Sequence, residues 1–335
     1  MRYSRQTAFA GLGESGQQKL SAARVAVVGV GALGTVAANC LARAGAGFLR
    51  LIDRDYVELT NLHRQMLFTE NDARRRIPKA AAAAARLAEA NSEIVLEPIV
   101  ADFNAANAET FLSGIDLVLD AVDNWECRFL LNDICRQKEI PWIYCAALAA
   151  EGMTMNFLPG HHPCLQCVVP KQTLTGLQPT CVTAGVLNMA AGAIASIQAA
   201  EAVKILTDSP TVRQGLFTAD FWNNRFKTIP FEQDADCPVC VHRRFDRLTL
   251  PENIQVLKIC GQNTIQITPF PPRRFDLENL AGRLQSAGKI DRQPFMVSCE
   301  TEHHRLTFFS DGRALIENAA DEGQAKSLYA EYAGT

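Results

Sequence analysis

The strongest indication of the fold is a β-branched segment followed by closely spaced glycines. Residues 24–29 (RVAVVG) have the apolar composition typical of a buried parallel strand. Gly31 and Gly34 follow, and residues 32–44 have helical composition. Gly45 comes next, a residue suited to ending a helix. This order predicts the first strand and helix of a β-α-β unit.

Strands and helices continue to alternate along the next hundred residues. Such alternation predicts an α/β domain with a doubly wound, Rossmann-like, mostly parallel sheet, whose ligands bind at the carboxyl ends of the strands. The predicted strands are 48–52, 94–99, 115–121 and 142–146, and the predicted helices are 15–20, 79–90, 106–112 and 128–138.

The pattern changes after Arg244 to shorter strands with two interleaved helices. We therefore predict a first domain over 1–245 and a small α+β domain over 246–335, which is long enough to fold by itself. Its predicted strands are 255–259, 264–268, 295–298, 305–309 and 314–317, and its predicted helices are 277–286 and 319–332.

The glycine spacing predicts a nucleotide-binding loop. Glycines let the backbone approach a phosphate, and the N-terminus of the following helix supplies N–H donors and partial positive charge. Asp53, at the end of the second strand, is placed to accept hydrogen bonds from ribose hydroxyls. Taken alone, this pattern favours NAD or FAD over ATP.

The charged residues that follow favour ATP instead. Arg64 and Lys79 can neutralise a triphosphate, and Asp123 can hold Mg²⁺. The alternative is that Arg64 and Lys79 are solvated surface charges. The predicted nucleotide-binding positions are Gly29, Gly31, Ala32, Gly34, Asp53, Asp55, Asn61, Arg64, Gln65, Lys79, Asp123 and Asn124.

Two C-x-x-C pairs predict a structural zinc site. Four thiolates complete a tetrahedral zinc centre and leave no open position for catalysis. Unligated core cysteines and a redox pair are the alternatives, and the paired spacing disfavours both. His161 and His162 are further candidate ligands, although surface histidines are more common. The predicted ligands are Cys164, Cys167, Cys237 and Cys240.

Cys181 lies just before a long apolar segment, 184–206. A thiol near a helix N-terminus has a lowered pKa and more thiolate character, whereas the alternative is an inert buried cysteine. Asn188, Gln198 and other polar residues interrupt the apolar segment, which predicts a buried helix and not a membrane span.

Composition restricts the location and the partners. The chain has 11 cysteines, and its first residues lack the apolar core of a signal peptide, so we expect a cytoplasmic protein with metal or redox chemistry. The formal net charge of -3 argues against a nucleic-acid partner. We expect no membrane partner either.

As an ordered set, these motifs resemble the ThiF/MoeB group, the bacterial relatives of ubiquitin-activating enzymes. The matching stretches are RYSRQ from Arg2, GVGALG from Gly29, DRDYVELTNLHRQ from Asp53, Pro78-Lys79, DAVDN from Asp120, the two C-x-x-C pairs and TCVTAGV from Thr180. His63 and Trp125 differ from the residues most often found there, and neither difference removes a charged group.

The resemblance implies an adenylyltransferase that attaches AMP from ATP to the terminal carboxylate of a small ubiquitin-like sulfur-carrier protein ending in Gly-Gly. It implies ATP and Mg²⁺ positions at Gly31, Asp53, Asn61, Arg64, Lys79 and Asp123. Arg5 matches an arginine that reaches the phosphates of the neighbouring subunit, which implies a homodimer. Cys181 matches a cysteine that joins covalently to the carrier during sulfur transfer.

The sequence leaves open which biosynthetic pathway the protein serves, and it leaves two other functions possible. The C-terminal domain resembles an extension of longer ThiF-type proteins and favours thiamine over molybdopterin biosynthesis, hence a ThiS-like over a MoaD-like carrier. A desulfurase or persulfide protein would be the sulfur donor. The two other functions are an NAD-dependent oxidoreductase and a non-catalytic adaptor that binds nucleotide and a ubiquitin-like partner.

Overall fold

The computed structural model describes residues 2–160, 162–169, 184–250, 254–258 and 263–334. The chain divides into two compact units, Met1–Thr249 and Leu250–Thr335. The 3-10 helix Asp246–Leu248 packs on a helix of the first unit. Each unit has its own sheet and its own buried core.

One eight-stranded sheet organises the first unit. Its strands are β1 (Arg24–Val28), β2 (Phe48–Asp53), β3 (Val95–Val100), β4 (Leu117–Asp120), β5 (Trp142–Leu148), β6 (Glu151–Phe157), β7 (Leu216–Asp220) and β8 (Arg225–Ile229).

The strand order is β3-β2-β1-β4-β5-β6-β7-β8, and the first five strands of that order are parallel. The chain builds outward from β1 on one side and then on the other, so the winding reverses between β1 and β4. Ligand crevices of doubly wound sheets lie at this reversal, beyond the carboxyl ends of the strands. The predicted α/β class and mostly parallel sheet are confirmed.

Helices cover both faces of this sheet. Gly45 ends α3 in the left-handed conformation, with φ 87, as its sequence position predicts. The described helices are α1 (Ser4–Thr7), α2 (Gly13–Ala22), α3 (Gly34–Ala44), α4 (Glu70–Arg74), α5 (Lys79–Ala90), α6 (Ala108–Phe111), α7 (Trp125–Lys138), α8 (Leu165–Val168) and α9 (Asn188–Leu206).

The last three strands of the sheet, β6 to β8, were not predicted. β6 pairs antiparallel with β5, and β7 and β8 continue the antiparallel pattern. All residues of β8 but the last are exposed. An exposed edge strand lacks the apolar alternation on which sequence patterns depend, and pairing with its neighbour decides its conformation.

The apolar helix α9 is a core element of the first unit. Its length and hydropathy alone are compatible with a membrane span. However, it packs against α3, β5 and β6, and it contains the buried polar residues Gln198 and Glu201. Gln198 donates hydrogen bonds to the carbonyls of Asp120 and Ile143, at 2.8 Å each, where β4 and β5 diverge. The prediction of a buried helix is confirmed.

The second unit is an antiparallel sheet of six strands with two helices. The turn at Asp311-Gly312 joins two of these strands, and Gly312 has φ 87. The elements are β9 (Gln255–Lys258), β10 (Thr264–Thr268), α10 (Leu277–Leu284), β11 (Lys289–Gln293), β12 (Met296–Glu300), β13 (Arg305–Phe309), β14 (Ala314–Glu317) and α11 (Glu322–Ala333).

Candidate nucleotide-binding site

The loop between β1 and α3 requires two of its glycines for packing. A Cβ on Gly34 would lie 1.9 Å from the carbonyl oxygen of Gly29, and Gly29 itself has φ 88. Gly31 differs, because the nearest atom to a Cβ there is Nε2 of Gln65 at 3.8 Å. Space is therefore open at Gly31, as a loop that receives a phosphate requires. Ala32 is half-buried beside it.

Asp53 braces this loop from the end of β2. One carboxylate oxygen accepts a hydrogen bond from the main-chain N–H of Val30 at 2.6 Å, and the other accepts from Asp55 at 2.7 Å. A carboxylate can accept further bonds, so this contact leaves room for the predicted ribose contact. Burial raises the pKa of Asp53, against the opposing attraction of Lys79. The bracing role was not predicted.

Lys79 is a buried cation at the start of α5. Its side-chain nitrogen lies 3.1 Å from a carboxylate oxygen of Asp55, and its main-chain N–H donates to the carbonyl of Asp55 at 2.9 Å. Burial lowers the pKa of Lys79, but the carboxylates of Asp55 and Asp53 outweigh burial and raise the pKa above its ordinary value. Lys79 is therefore a fixed positive charge at neutral pH, and not a solvated surface lysine.

A compact turn after β2 carries three further predicted residues. Asn61 is buried and accepts a hydrogen bond from the main-chain N–H of Glu58 at 3.2 Å. Arg64 is half-buried and donates to the carbonyl of Thr60 at 2.9 Å. Gln65 is 4% exposed, and its Oε1 has no hydrogen-bond partner among the described residues. A buried acceptor without a partner is costly, which marks this edge of the sheet as a place for a ligand.

Asp123 and Asn124 follow β4, across the winding reversal from the glycine loop. Asp123 is exposed and raises the pKa of Lys79 electrostatically, so the two side chains share one electrostatic environment. Asn124 caps α7, and its side chain accepts a hydrogen bond from the N–H of Cys127 at 2.9 Å. We assign Asn124 a structural role that the sequence analysis did not predict.

Arg5 lies away from this edge. Its helix α1 is held at the far end of α3, where Gln6 donates to the carbonyl of Ala44 at 2.8 Å. The helix α3 begins at Gly34, so it separates α1 from the glycine loop by its length of about 16 Å. Arg5 is exposed. Arg5 is therefore not part of the nucleotide-binding site of its own chain.

The sequence analysis did not predict a further ion pair beyond the carboxyl ends of β2 and β3. Arg54 lies 3.1 Å from Asp102 and 3.8 Å from Asp55. Two signals could have found it, because Arg54 stands between two predicted site aspartates and Asp102 follows a predicted strand. Polar residues beyond parallel strands meet at one edge of the sheet.

The four cysteines of the two C-x-x-C pairs form a cluster elsewhere in the unit. Their sulfur atoms all lie within 4.8 Å of one another, and the closest pairs are 3.5 to 3.9 Å apart. The main-chain N–H of Asp234 donates a hydrogen bond to the sulfur of Cys167 at 3.5 Å. The chain leaves β6 toward the cluster at Phe157, which pairs with Trp142, the first residue of β5. This is the amino-terminal end of β5, opposite to the strand ends that carry the nucleotide site.

Two predictions lie outside the described residues. Cys181, the predicted covalent residue, and His161, a candidate ligand, are among the positions that are not described. His162 is described, and it is not part of the cysteine cluster. The predicted nucleotide-binding residues from β1, β2, β4 and α5 do converge on one edge, where a buried cation and several carboxylates surround an open glycine loop. Such an arrangement can hold a phosphorylated nucleotide and a divalent ion.

Comparison with known proteins gives consistent matches. The family model described as the ThiF family matches residues 3–239. The chain is 38% identical over 340 residues to the sulfur carrier protein ThiS adenylyltransferase of Bacillus subtilis, covering 99% of each chain. It is 37% identical over 261 residues to the SAMP-activating enzyme E1 of Haloferax volcanii, covering 78% of this chain and 94% of that one.

A solved structure with the same fold is that of MccB from E. coli with ATP. The TM-score is 0.63, and the match covers 72% of this chain and 74% of that chain. At 22% sequence identity, this likeness supports the fold alone.

Proposed function

The chain belongs to the ThiF family, and from this membership we propose that it transfers AMP from ATP to the C-terminal carboxylate of a small ubiquitin-like sulfur-carrier protein. The observation that carries the proposal is the end-to-end similarity to the ThiS adenylyltransferase of B. subtilis. The convergence of Lys79, Asp53 and Asp123 at one sheet edge supports it, since adenylyl transfer needs fixed charges around a triphosphate.

The attacking group needs no activation by a base. A terminal α-carboxyl has a pKa of about 3.5, so the Gly-Gly tail is ionised at neutral pH. One carboxylate oxygen forms a bond to the α-phosphorus, and the bond from that phosphorus to the bridging oxygen breaks. Pyrophosphate leaves with the electron pair. The enzyme therefore contributes position and charge more than proton transfer.

Charge neutralisation falls to a few side chains. We propose that Lys79 and Arg64 contact the phosphates and that the partner subunit of a homodimer supplies its own arginine from α1. Carboxylates outnumber cations at this end of the sheet, where the charges of Asp53, Asp55, Asp102 and Asp123 act on Arg54 and Lys79. This donor set fits a divalent ion, and Asp123 would hold Mg²⁺, which would supply the remaining positive charge.

The cysteine cluster fits zinc. Four sulfurs at about 2.3 Å from a tetrahedral zinc ion lie about 3.8 Å from one another, close to the spacing of the nearest sulfur pairs here. With four protein ligands the ion has no open position. We propose that it holds Cys164–Cys167 and Cys237–Cys240 together and takes no part in the reaction.

A ThiS-like carrier and thiamine biosynthesis are favoured over a MoaD-like carrier and molybdopterin. The reason is that the similarity to the ThiS adenylyltransferase includes the second unit as well as the first. The product, an acyl adenylate, would then react with a desulfurase or persulfide protein, and Cys181 is the proposed residue for covalent transfer. None of the described cysteines forms a disulfide, which favours a cytoplasmic location.

The test is carrier-dependent exchange between ATP and pyrophosphate. Asp123→Ala should reduce exchange by roughly 100-fold, the effect of losing one preorganised charge contact, and leave the circular dichroism spectrum unchanged. Asp208→Ala, which removes an exposed carboxylate paired with Lys19, is the matched control and should retain full exchange. Normal exchange in Asp123→Ala would contradict the assignment. NAD binding without ATP binding would favour the oxidoreductase, and ATP binding without exchange would favour the adaptor.

A further inference from the structure

We propose that Arg54 is a positioning residue that keeps Lys79 available to the nucleotide, acting through the carboxylate of Asp55 and anchored by Asp102. The inference rests on the proposed function, in which Lys79 contacts the phosphates of ATP. It assigns a role to an ion pair that adenylyl transfer does not by itself explain.

The four side chains form a continuous chain of alternating charge. Nη1 of Arg54 lies 3.1 Å from Oδ1 of Asp102. Nε of the same guanidinium lies 3.8 Å from Oδ1 of Asp55, whose other oxygen, Oδ2, lies 3.1 Å from Nζ of Lys79. The two oxygens of Asp55 therefore face different cations, one toward Arg54 and one toward Lys79.

The backbone makes this geometry rigid. The main-chain N–H of Lys79 donates to the carbonyl of Asp55 at 2.9 Å, so both ends of the lysine are held by one residue. Asp53↔Val100 is the last pair in the register of β2 and β3, which brings Arg54 and Asp102 together just beyond the strands. Three separate segments of chain thus fix the positions of the charges.

The environment strengthens these interactions. The side chains of the two cations are largely buried, at 10% exposed for Lys79 and 21% for Arg54, whereas the carboxylate of Asp55 that links them is 40% exposed. Charges that are largely removed from water attract one another more strongly than exposed charges do. If Asp55 faced Lys79 alone, its full charge would hold the ammonium group and compete with the phosphates for it. Arg54 takes up part of the charge of Asp55, and Asp102 keeps Arg54 itself out of the phosphate site.

Arg50, within β2, forms an ion pair that joins two strands and has only a structural role. Arg50, in β2, lies 2.7 Å from Glu97 in β3 and also joins the two strands. Arg50 also donates to the carbonyl of Phe111 at 2.7 Å and has no described contact with Asp55 or Lys79. Arg50→Ala is therefore the matched control for loss of a strand-to-strand arginine.

The experiment measures ATP binding by calorimetry in the full-length protein, with KM and kcat for ATP in carrier-dependent exchange. Arg54→Ala should raise the Kd and the KM for ATP about tenfold, the effect of losing one charge-assisted contact, with a smaller fall in kcat. Arg54→Lys should restore part of the loss, because it keeps the charge but cannot bridge two carboxylates. In an Asp55→Asn background, Arg54→Ala should have a much smaller effect on the Kd.

Results against the role of Arg54 can be told apart from results against the proposed function. If Arg54→Ala lowers Tm as Arg50→Ala does and leaves the Kd for ATP unchanged, Arg54 is only structural and the inference is wrong. Additive effects of Arg54→Ala and Asp55→Asn would also overturn it. If the wild-type protein binds ATP but gives no carrier-dependent exchange, the proposed function fails, whereas the binding cycle still decides the role of Arg54. Failure of the wild-type protein to bind ATP would overturn both.

Discussion

Alanine at Gly31 and at Gly34, introduced one at a time, separates the packing role of the glycine loop from its ligand role. At Gly34 a methyl group would lie 1.9 Å from the carbonyl oxygen of Gly29, so α3 would have to move back from β1 by about 1 Å to restore ordinary contact. At Gly31 the nearest atom is Nε2 of Gln65 at 3.8 Å, and the backbone lies outside the left-handed region. Gly31→Ala therefore fits the fold without strain.

The two variants should differ in stability and in ATP binding. Gly34→Ala should cost about 1–3 kcal/mol through overpacking, which corresponds to a fall of roughly 2–10 °C in Tm for a unit of this size. Gly31→Ala should change stability by less than about 0.5 kcal/mol. It should nevertheless weaken ATP binding by roughly 10- to 100-fold, because a clash between the added methyl group and the nucleotide should cost about 1–3 kcal/mol.

Thermal unfolding with and without ATP measures both effects. ATP should raise the Tm of the wild-type protein, because a ligand that binds the folded state stabilises it by mass action. Gly31→Ala should have the wild-type Tm without ATP and should lose most of the ATP-induced rise. If Gly31→Ala keeps the full rise, the open space at this position does not receive the nucleotide and the loop has only a structural role.

Three further predictions concern the cysteines and the effect of pH. Removing zinc with a chelator should lower the Tm of the first unit, and Cys237→Ser should lower it without a chelator, whereas an unchanged Tm in both would exclude a stabilising ion. Burial raises the pKa of Asp133 to about 6, so its ionised form destabilises the folded state above pH 6, and this cost disappears below about pH 4. In urea unfolding, the free energy of unfolding of the wild-type protein should therefore gain this contribution as the pH falls from 6 to 4, and Asp133→Asn should lack the gain. Cys181→Ser should block thiocarboxylate formation but leave carrier adenylylation intact, and a normal rate of thiocarboxylate formation, measured by mass spectrometry of the carrier, would make Cys181 structural.

Elements with a strong local pattern were predictable from the sequence. Helix α5 occupies the predicted residues, because its alanine-rich segment favours helix at almost every position. β10, β13 and β14 also have the predicted bounds, since each combines β-branched or aromatic residues with nearby turn residues. The fold class followed from the order of such elements.

Two of the four edge strands were not predicted from the sequence, whereas β3 and β9 were. β11 (KIDRQ) and β8 (RFKTI) are polar and largely exposed, and each lies at the end of its sheet. Hydrogen bonding to the neighbouring strand, β12 for β11 and β7 for β8, stabilises them. A pattern of apolar residues carries no record of such pairing.

The candidate site was predictable as a set of residues and not as a set of contacts. The glycine loop, Asp53, Lys79 and Asp123 follow from their positions beside predicted strands. Their partners depend on strand register and backbone geometry, as the bond from Val30 to Asp53 shows. The nucleotide-binding roles of these residues remain predictions. The pair of Arg54 with Asp102 likewise depends on the register between β2 and β3, which local sequence does not specify.

Transfer of labelled AMP to a carrier protein would decide whether the enzyme performs the proposed reaction. The purified protein is incubated with α-labelled ATP, Mg²⁺ and a Gly-Gly-ended ThiS-like carrier, and a carrier lacking its final glycine is the control. We predict one AMP on the terminal carboxylate of the intact carrier, with pyrophosphate released in equal amount, and none on the truncated carrier. Absence of AMP from the intact carrier, or equal labelling of both carriers, would contradict adenylylation of the tail.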